Sequence, residues 1–230
     1  MSDSGRRELT GWAIAFVAMV VAVVITYQFV DRDVASYAAA HFQKKPWFDA
    51  MTQISEWLAR LAVVVFLVGA AYALAGRAVP RPLAVGLLAS ASLAVASLIK
   101  DQLKLAFGRT WPETFSNNNP SFIQTHVYGF TPFHGGQAYA SFPSGHTAVV
   151  CAVMAVLWIL YPKLRAAWAL LVAAVVIGLI GADYHFVSDI IAGGFLGALT
   201  GWAAVRIWRA ASGGTPDEAE RNPGAAGTRV

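Results

Sequence analysis

A short polar cluster interrupts the strongly apolar sequence between residues 141 and 147. It reads Ser-Phe-Pro-Ser-Gly-His-Thr and is followed directly by an uncharged run from 148 to 161. Ser144 is a candidate helix N-cap, and the backbone N–H groups after it would then be free. Such a helix start can bind an anion, and His146 could move a proton beside it. The simpler interpretation is a serine-capped helix that carries an interfacial histidine.

Two further polar clusters lie at the ends of apolar runs. The first consists of Lys100, Lys104 and Arg109, and the second of Asp183, His185 and Asp189. His185 and Asp189 are four residues apart, so on a helix they would share a face. A carboxylate that bonds one imidazole nitrogen fixes the tautomer and leaves the other nitrogen as a nucleophile or base.

Each cluster also has an ordinary explanation when it is taken alone. His185 and Asp189 could form a structural pair, and Lys100 and Lys104 could extend to lipid headgroups. The aromatic residues Trp47, Trp111 and Tyr184 are typical of an interfacial belt, and we assign no role to His41, His126 and His134. Together, however, two histidines, a carboxylate and several cations around a helix N-terminus suit phosphoryl transfer through a histidine.

The composition indicates a membrane protein. The chain has 230 residues, of which 57% are hydrophobic and 13% charged, and its mean hydropathy is +0.54. The net charge of +4 is modest, and the basic residues lie mainly beside apolar runs. This placement favours a role in membrane topology over nucleic-acid binding. The single cysteine, Cys151, can form no intrachain disulfide and is predicted to be a small core residue.

The predicted fold class is all-α, a polytopic membrane protein with a bundle of six transmembrane helices. The predicted spans are 11–30, 57–75, 83–99, 145–161, 166–182 and 187–208, each close to the length that crosses a bilayer. We interpret the first as a retained span, because it is too long for a signal peptide and no clear cleavage site follows. The membrane domain is therefore 11–208, between a cytoplasmic N-terminus (1–10) and a disordered cytoplasmic tail (209–230).

Two polar segments separate these spans. The segment 31–56 contains two candidate interfacial helices, 34–42 and 48–57. The connection 106–140 is rich in Asn, Pro, Gly and aromatic residues, and unstructured connections of this length are usually functional or disordered.

The distribution of basic residues predicts the orientation. Six spans place both termini on one side, together with the basic residues Arg6, Arg7, Arg77, Arg81, Lys163, Arg165, Arg206 and Arg209. The opposite face carries seven basic residues, so the total is close, but the short loops favour a cytoplasmic N-terminus. The polar clusters would then face outward, which in a bacterial inner membrane is the periplasm.

In this order the clusters resemble the signature of the type 2 phosphatidic acid phosphatase superfamily, integral-membrane lipid phosphatases. That signature is Lys-x6-Arg-Pro, then Pro-Ser-Gly-His, then Ser-Arg-x5-His-x3-Asp. The second part is intact at residues 143–146. The third is represented by His185 and Asp189, and the first by Lys104 and Pro112. The resemblance covers about residues 57–205, and the order of the six spans agrees with it.

The resemblance implies a metal-independent phosphatase without a cofactor, acting on a phosphate monoester or diphosphate of a membrane lipid. His185 would attack phosphorus and Asp189 would orient it. His146 would protonate the leaving oxygen and later activate water. The groups that would hold the phosphate oxygens are Lys104, Ser144 and the Gly145 amide.

The chain departs from the signature at both arginines. Trp111 occupies the position of the first and Leu179 that of the second. Our hypothesis is that Arg109 supplies one missing guanidinium and is held in place by Asp183. Asp183 could instead contact a cationic headgroup.

Three other functions compete with hydrolysis. Related enzymes with the same histidines and aspartate transfer a phospho-headgroup to another lipid alcohol, and a degenerate member would only bind lipid. A haem- or quinone-binding protein would have histidines paired across spans at mid-bilayer depth, whereas here they cluster at one surface. The sequence leaves the oligomeric state open.

Overall fold

The structure, a computed structural model, describes residues 3–42, 45–115 and 118–212. Within these ranges the chain forms eight α-helices. They are α1 (Asp3–Phe29), α2 (Asp31–His41), α3 (Pro46–Leu74), α4 (Arg81–Phe107), α5 (Phe122–Thr125), α6 (Gly145–Leu160), α7 (Arg165–Gly181) and α8 (Val187–Ala211). The connection between α4 and α6 contains only α5, a short 3-10 turn and isolated bridges among its described residues.

Five of these helices (α1, α3, α4, α8, and α7 together with the 3-10 turn Pro162–Leu164 before it) are long and apolar enough to cross a membrane. The sixth apolar helix, α6, has 16 residues, which corresponds to a length of about 24 Å. The all-α prediction and the bundle of six apolar helices are therefore confirmed.

The last three predicted spans begin within one residue of α6, α7 and α8, whereas α4 continues to Phe107, beyond the predicted span 83–99, and the segment after the first span differs more. The interfacial helix predicted at 34–42 corresponds to α2, which already begins at Asp31. The second one, 48–57, is wrong, because this segment is the beginning of α3. Pro46 at the first position of α3 has a preset φ that favours helix initiation there. The predicted tail is still helical as far as Ala211, and Lys44 and residues 213–230 lie outside the described residues.

The contacts made by the two ends of α8 show which residues lie at each end of the apolar bundle. Near its C-terminus Arg206 forms an ion pair of 3.2 Å with Glu8 at the start of α1. At its N-terminus α8 carries Asp189, whose backbone carbonyl accepts a hydrogen bond of 3.0 Å from the amide of Ser144. The polar clusters around Ser144 and Asp189 therefore lie together, at the end of the bundle opposite Glu8.

A stripe of glycines allows α8 to pack closely against α6. Gly193, Gly197 and Gly201 are four residues apart, and a Cβ at any of them would collide with α6. At Gly197 the added carbon would overlap the carbonyl oxygen of Ala148 and lie 2.7 Å from the amide nitrogen of Ala152. Small residues permit this close approach of two membrane helices. The stripe therefore holds the start of α6 against the start of α8.

The stripe predicts a matched pair of variants. Gly197→Ala should lower the free energy of unfolding by about 1–3 kcal/mol, because overpacking forces the two backbones apart. Gly194→Ala is the control, since its Cβ would meet only Cys151 Sγ, at 3.8 Å. Thermal unfolding in detergent measures both variants. Equal melting temperatures would contradict the proposed packing role of the stripe.

Candidate active site

His185 and Asp189 are brought together by the turn between α7 and α8. His185 precedes the first residue of α8, so the two side chains do not meet along a helix face as their spacing predicted. Instead, Asp189 folds back over the helix start, where its Oδ2 accepts a hydrogen bond of 3.2 Å from the amide of Phe186. The same oxygen lies 3.5 Å from Nδ1 of His185, and both side chains are buried.

Asp189 is fixed by partners on both oxygens. The hydroxyl of Ser141 donates to Oδ2 over 2.6 Å, and Arg109 donates to Oδ1. Burial lowers the pKa of His185 more than the neighbouring Asp189 carboxylate raises it. The imidazole is therefore neutral near pH 7. Because Asp189 engages Nδ1, Nε2 remains as the candidate nucleophile.

The start of α6 lies beside this histidine. Ser144 is the N-cap, as predicted, and its Oγ accepts a hydrogen bond of 3.4 Å from the amide of Thr147. The amides of Gly145 and His146 are the first N–H groups of the helix and have no partner within it. The imidazole rings of His146 and His185 lie 5.8 Å apart, centre to centre.

Two lysines of α4 reach the same helix start. A Cβ placed on Gly145 would lie 3.8 Å from Nζ of Lys104 and 3.3 Å from the side-chain carbons of Lys100. Nζ of Lys100 donates to Asp101 over 2.5 Å, so its charge is already paired. The amino group of Lys104 therefore lies beside the first turn of α6, where the amides have no partner within the helix.

The two positions that lack an arginine have different surroundings. Trp111 is buried, lies 5.0 Å from His185 between ring centres, and donates from Nε1 to the carbonyl of Gln137 over 2.7 Å. Nζ of Lys104 lies 5.5 Å from the Trp111 ring centre. The interpretation of Trp111 as an interfacial belt residue is therefore wrong. Leu179 is fully buried in the hydrophobic core, where a charged side chain would not be tolerated.

Arg109 is not where the sequence hypothesis placed it. The pairing with Asp183 is wrong, because the fully buried guanidinium donates to Asp189 and, over 2.8 Å, to Asp31. It also donates to Ser188 Oγ over 2.6 Å. Burial disfavours its charge, but the carboxylates of Asp189 and Asp31 outweigh this effect and raise the pKa of Arg109. Because both Nη atoms bond protein groups and the side chain is fully buried, Arg109 supports Asp189 and is not open to a phosphate as the sequence hypothesis required.

Asp183 is close in sequence to His185, the candidate nucleophile, but forms no ion pair with any residue that the structure describes. Its backbone has a φ of 57°, and its buried Oδ2 has no hydrogen-bond partner among the described residues. Burial, assisted by the charge of Glu113, raises the pKa of Asp183 to about 8. The carboxyl is therefore mainly protonated at neutral pH, so it does not repel a phosphate as an ionised acid would.

Sequence reasoning missed three members of this cluster: Asp31, Ser141 and Ser188. Asp31 is a charged residue directly after an apolar run, a position that can indicate a functional group at the membrane surface. Arg32 and Asp33 share this position, so the sequence does not single out Asp31. Ser188 immediately precedes Asp189, and Ser141 lies just before the Pro-Ser-Gly-His segment. Only the packing of α2 against the start of α8 distinguishes Asp31 from its neighbours.

The acidic and histidine side chains of the site do not form a metal-binding set. Within the described ranges, no group of three or more His, Cys, Asp or Glu side chains is arranged to hold a metal ion.

Two curated proteins are similar to this chain in sequence. The chain is 32% identical to the lipid A 1-phosphatase of Rhizobium etli over 149 residues, which are 60% of each protein. It is also 32% identical to the lipid A 1-phosphatase of Rhizobium johnstonii over 154 residues, 63% of this chain and 59% of the relative. The match thus spans about 60% of the length of these curated relatives.

A solved structure has a similar fold. It is a transmembrane PAP2-type phosphatidylglycerolphosphate phosphatase from Bacillus subtilis, with a TM-score of 0.55 and 21% sequence identity. The alignment covers 83% of this chain and 94% of the other. The model of the PAP2 superfamily matches residues 84–212, more than half of the chain, including both histidines and Asp189. The chain therefore belongs to the PAP2 superfamily.

Proposed function

We propose that this protein is a membrane phosphatase that hydrolyses a phosphate monoester or diphosphate of a lipid through a phosphohistidine. The observation that carries the proposal is the arrangement around His185. Asp189 holds its Nδ1 at 3.5 Å, and His146 lies 5.8 Å away between ring centres. The names of the two Rhizobium relatives support phosphatase activity on a lipid and make lipid A 1-phosphate a candidate substrate.

In the first step, Nε2 of His185 attacks phosphorus and the bond to the leaving alkoxide breaks. Protonated His146 gives its proton to that alkoxide, which departs as the lipid alcohol. The phosphorylated imidazole keeps its proton on Nδ1 and becomes cationic, and the Asp189 carboxylate stabilises this charge. In the second step, neutral His146 takes a proton from water, the hydroxide attacks phosphorus, and the P–N bond breaks to release phosphate.

The phosphate oxygens would be held by Lys104 and by the free amides at the start of α6. A helix N-terminus stabilises the charge that these oxygens carry in the transition state. Ser144 contributes indirectly, since its side chain caps the helix and its amide binds the Asp189 carbonyl. By fixing the start of α6, the cap leaves the N–H groups of Gly145 and His146 pointing out of the N-terminal end of the helix, where a phosphate could bind.

The roles of the two histidines can be separated. His185→Ala should lower turnover by about 10³-fold or more, because no nucleophile remains. His146→Ala should also slow turnover but still accumulate phospho-enzyme from an activated aryl phosphate, because that leaving group needs no proton. Acid-quenched ³²P labelling measures the intermediate. Near-normal turnover in His185→Ala would show that another residue is the nucleophile.

The substrate class is tested with a panel of lipid phosphates, including lipid A, phosphatidic acid and isoprenyl diphosphate, each with and without an acceptor lipid. Release of inorganic phosphate supports hydrolysis. A new phospholipid formed without free phosphate would support the phosphotransferase alternative, and no reaction with any of them would support an inactive lipid-binding protein.

We expect activity to be independent of divalent metal. The transferred group is stabilised by Lys104 and backbone amides, so excess chelator should change turnover by less than about twofold. Vanadate, which mimics pentacoordinate phosphorus, should inhibit. Loss of activity in chelator that is restored by magnesium would contradict this mechanism.

The proposed orientation places the site at the outer face of the membrane. The basic residues of the short loops support it, since such residues remain cytoplasmic. A reporter fused after Val79 should be cytoplasmic, and one inserted at Asn118 should be external. The reverse labelling would place the site on the cytoplasmic face.

A further inference from the structure

Asp31, the first residue of α2, is buried next to Arg109, which in turn contacts Asp189 behind His185. Its Oδ1 accepts a hydrogen bond of 3.0 Å from the amide of Ser188. Its Oδ2 accepts from Arg109 over 2.8 Å, from the Ser188 hydroxyl, and from the Tyr128 hydroxyl over 3.3 Å. The side chain has no measurable exposure to solvent. A surface carboxylate at a helix start would not need so many donors.

Arg109 connects Asp31 to Asp189. Its Nη2 donates to Asp31 and its Nη1 to Asp189, so the two carboxylates lie on either side of one guanidinium. Ser188 bridges the same groups, because its hydroxyl accepts from Arg109 and donates to Asp31. The four aromatic rings around the guanidinium, with centres 4.3 to 5.3 Å away, belong to Tyr27, Tyr128, Phe130 and Phe186.

We propose that Asp31 is a positioning residue for the nucleophile: through Arg109 and Ser188 it sets the place of the Asp189 carboxylate, and thereby the orientation of His185. This inference rests on the proposed function, in which His185 attacks phosphorus. It adds a residue outside the segment 84–212 that matches the superfamily.

The first physical reason is competition for the carboxylate of Asp189. A guanidinium forms its strongest contact as a two-pronged pair with one carboxylate. Asp31 occupies the second prong, so Arg109 takes only Oδ1 of Asp189 and leaves Oδ2 for Ser141 and His185. Without Asp31, Arg109 would be free to take both oxygens of Asp189 and draw Oδ2 away from His185.

The second reason is charge. With both carboxylates ionised, Asp31, Asp189 and Arg109 together carry one net negative charge beside His185. When the imidazole becomes phosphorylated and cationic, this charge stabilises it in a region from which water is excluded. Neutralising Asp31 would leave the cluster with no net charge. Removing the charge of Asp31 should therefore slow the chemical step for both reasons. Binding of the substrate phosphate should be unchanged.

The test compares Asp31→Asn with Asp33→Asn, an exposed carboxylate on the same helix. Asp31→Asn should lower kcat roughly 10- to 100-fold, the size of effect seen for groups that orient metal ligands from behind, while KM stays within about threefold. Asp33→Asn should match the wild type. A kcat within about threefold of wild type in Asp31→Asn would overturn the proposal.

A second measurement is independent of turnover. In protein labelled with ¹⁵N-histidine, the His185 signals, assigned with His185→Asn, report which ring nitrogen carries the proton. Asp31→Asn should shift these signals, and Asp33→Asn should not. Unchanged His185 signals in folded Asp31→Asn would contradict a positioning role. If wild-type protein hydrolyses no lipid phosphate, the proposed function fails, while this comparison still tests the link from Asp31 to His185.

A third variant covers the case in which Asp31→Asn does not fold. Ser188→Ala removes one contact to Asp31 and one to Arg109 without leaving a buried charge unpaired. We expect a loss in kcat of about threefold to tenfold and a smaller shift of the same His185 signals. Wild-type kcat together with wild-type His185 signals in Ser188→Ala would reject the linkage.

Discussion

The buried ion cluster of Asp31, Arg109 and Asp189 is the interaction on which the site depends. Removing one member of a buried ion pair leaves an uncompensated charge, which typically costs about 3–5 kcal/mol. The three residues come from α2, from the loop after α4 and from α8. The cluster therefore joins α2 to the end of the bundle that carries the candidate site. It also fixes the carboxylate of Asp189, which contacts the candidate nucleophile.

The second constraint is the close contact of α6 with α8. The glycine stripe brings the two backbones together, and the hydrogen bond from the Ser144 amide to the Asp189 carbonyl joins the two helix starts. One helix contributes His146 and the free amides, and the other contributes Asp189. Backbone packing sets the separation of the two helix starts, and with it the spacing between the backbones of His146 and of His185, which directly precedes α8.

The missing arginines give this site a different charge balance from the superfamily signature. Trp111 occupies a position where the signature has an arginine and lies 5.0 Å from His185 between ring centres, and Leu179 is part of the apolar core. Arg109 does not compensate, because it is committed to the two buried carboxylates. The proposed phosphate contacts are thus Lys104 and the start of α6. Because the raised pKa keeps Asp183 mainly protonated at neutral pH, its carboxyl adds no negative charge that these few cations would have to balance.

The sequence by itself determined the helical architecture, the Ser144 cap and the grouping of His146, His185 and Asp189. The first two depend on local patterns, namely apolar runs of membrane length and a capping residue before an apolar run. The grouping of the two histidines follows from the order of the spans, which places the start of α6 and the start of α8 at the same end of the bundle. The sequence-based prediction was wrong for the start of α3: the polar residues there suggested a separate interfacial helix, whereas the structure has one continuous helix from Pro46 to Leu74. Only the tertiary structure decided the roles of Asp31, Arg109 and Trp111. Their partners lie far away in the chain, 78 residues apart for Asp31 and Arg109. Which charge is buried beside which depends on how the helices pack, and no local pattern contains that information.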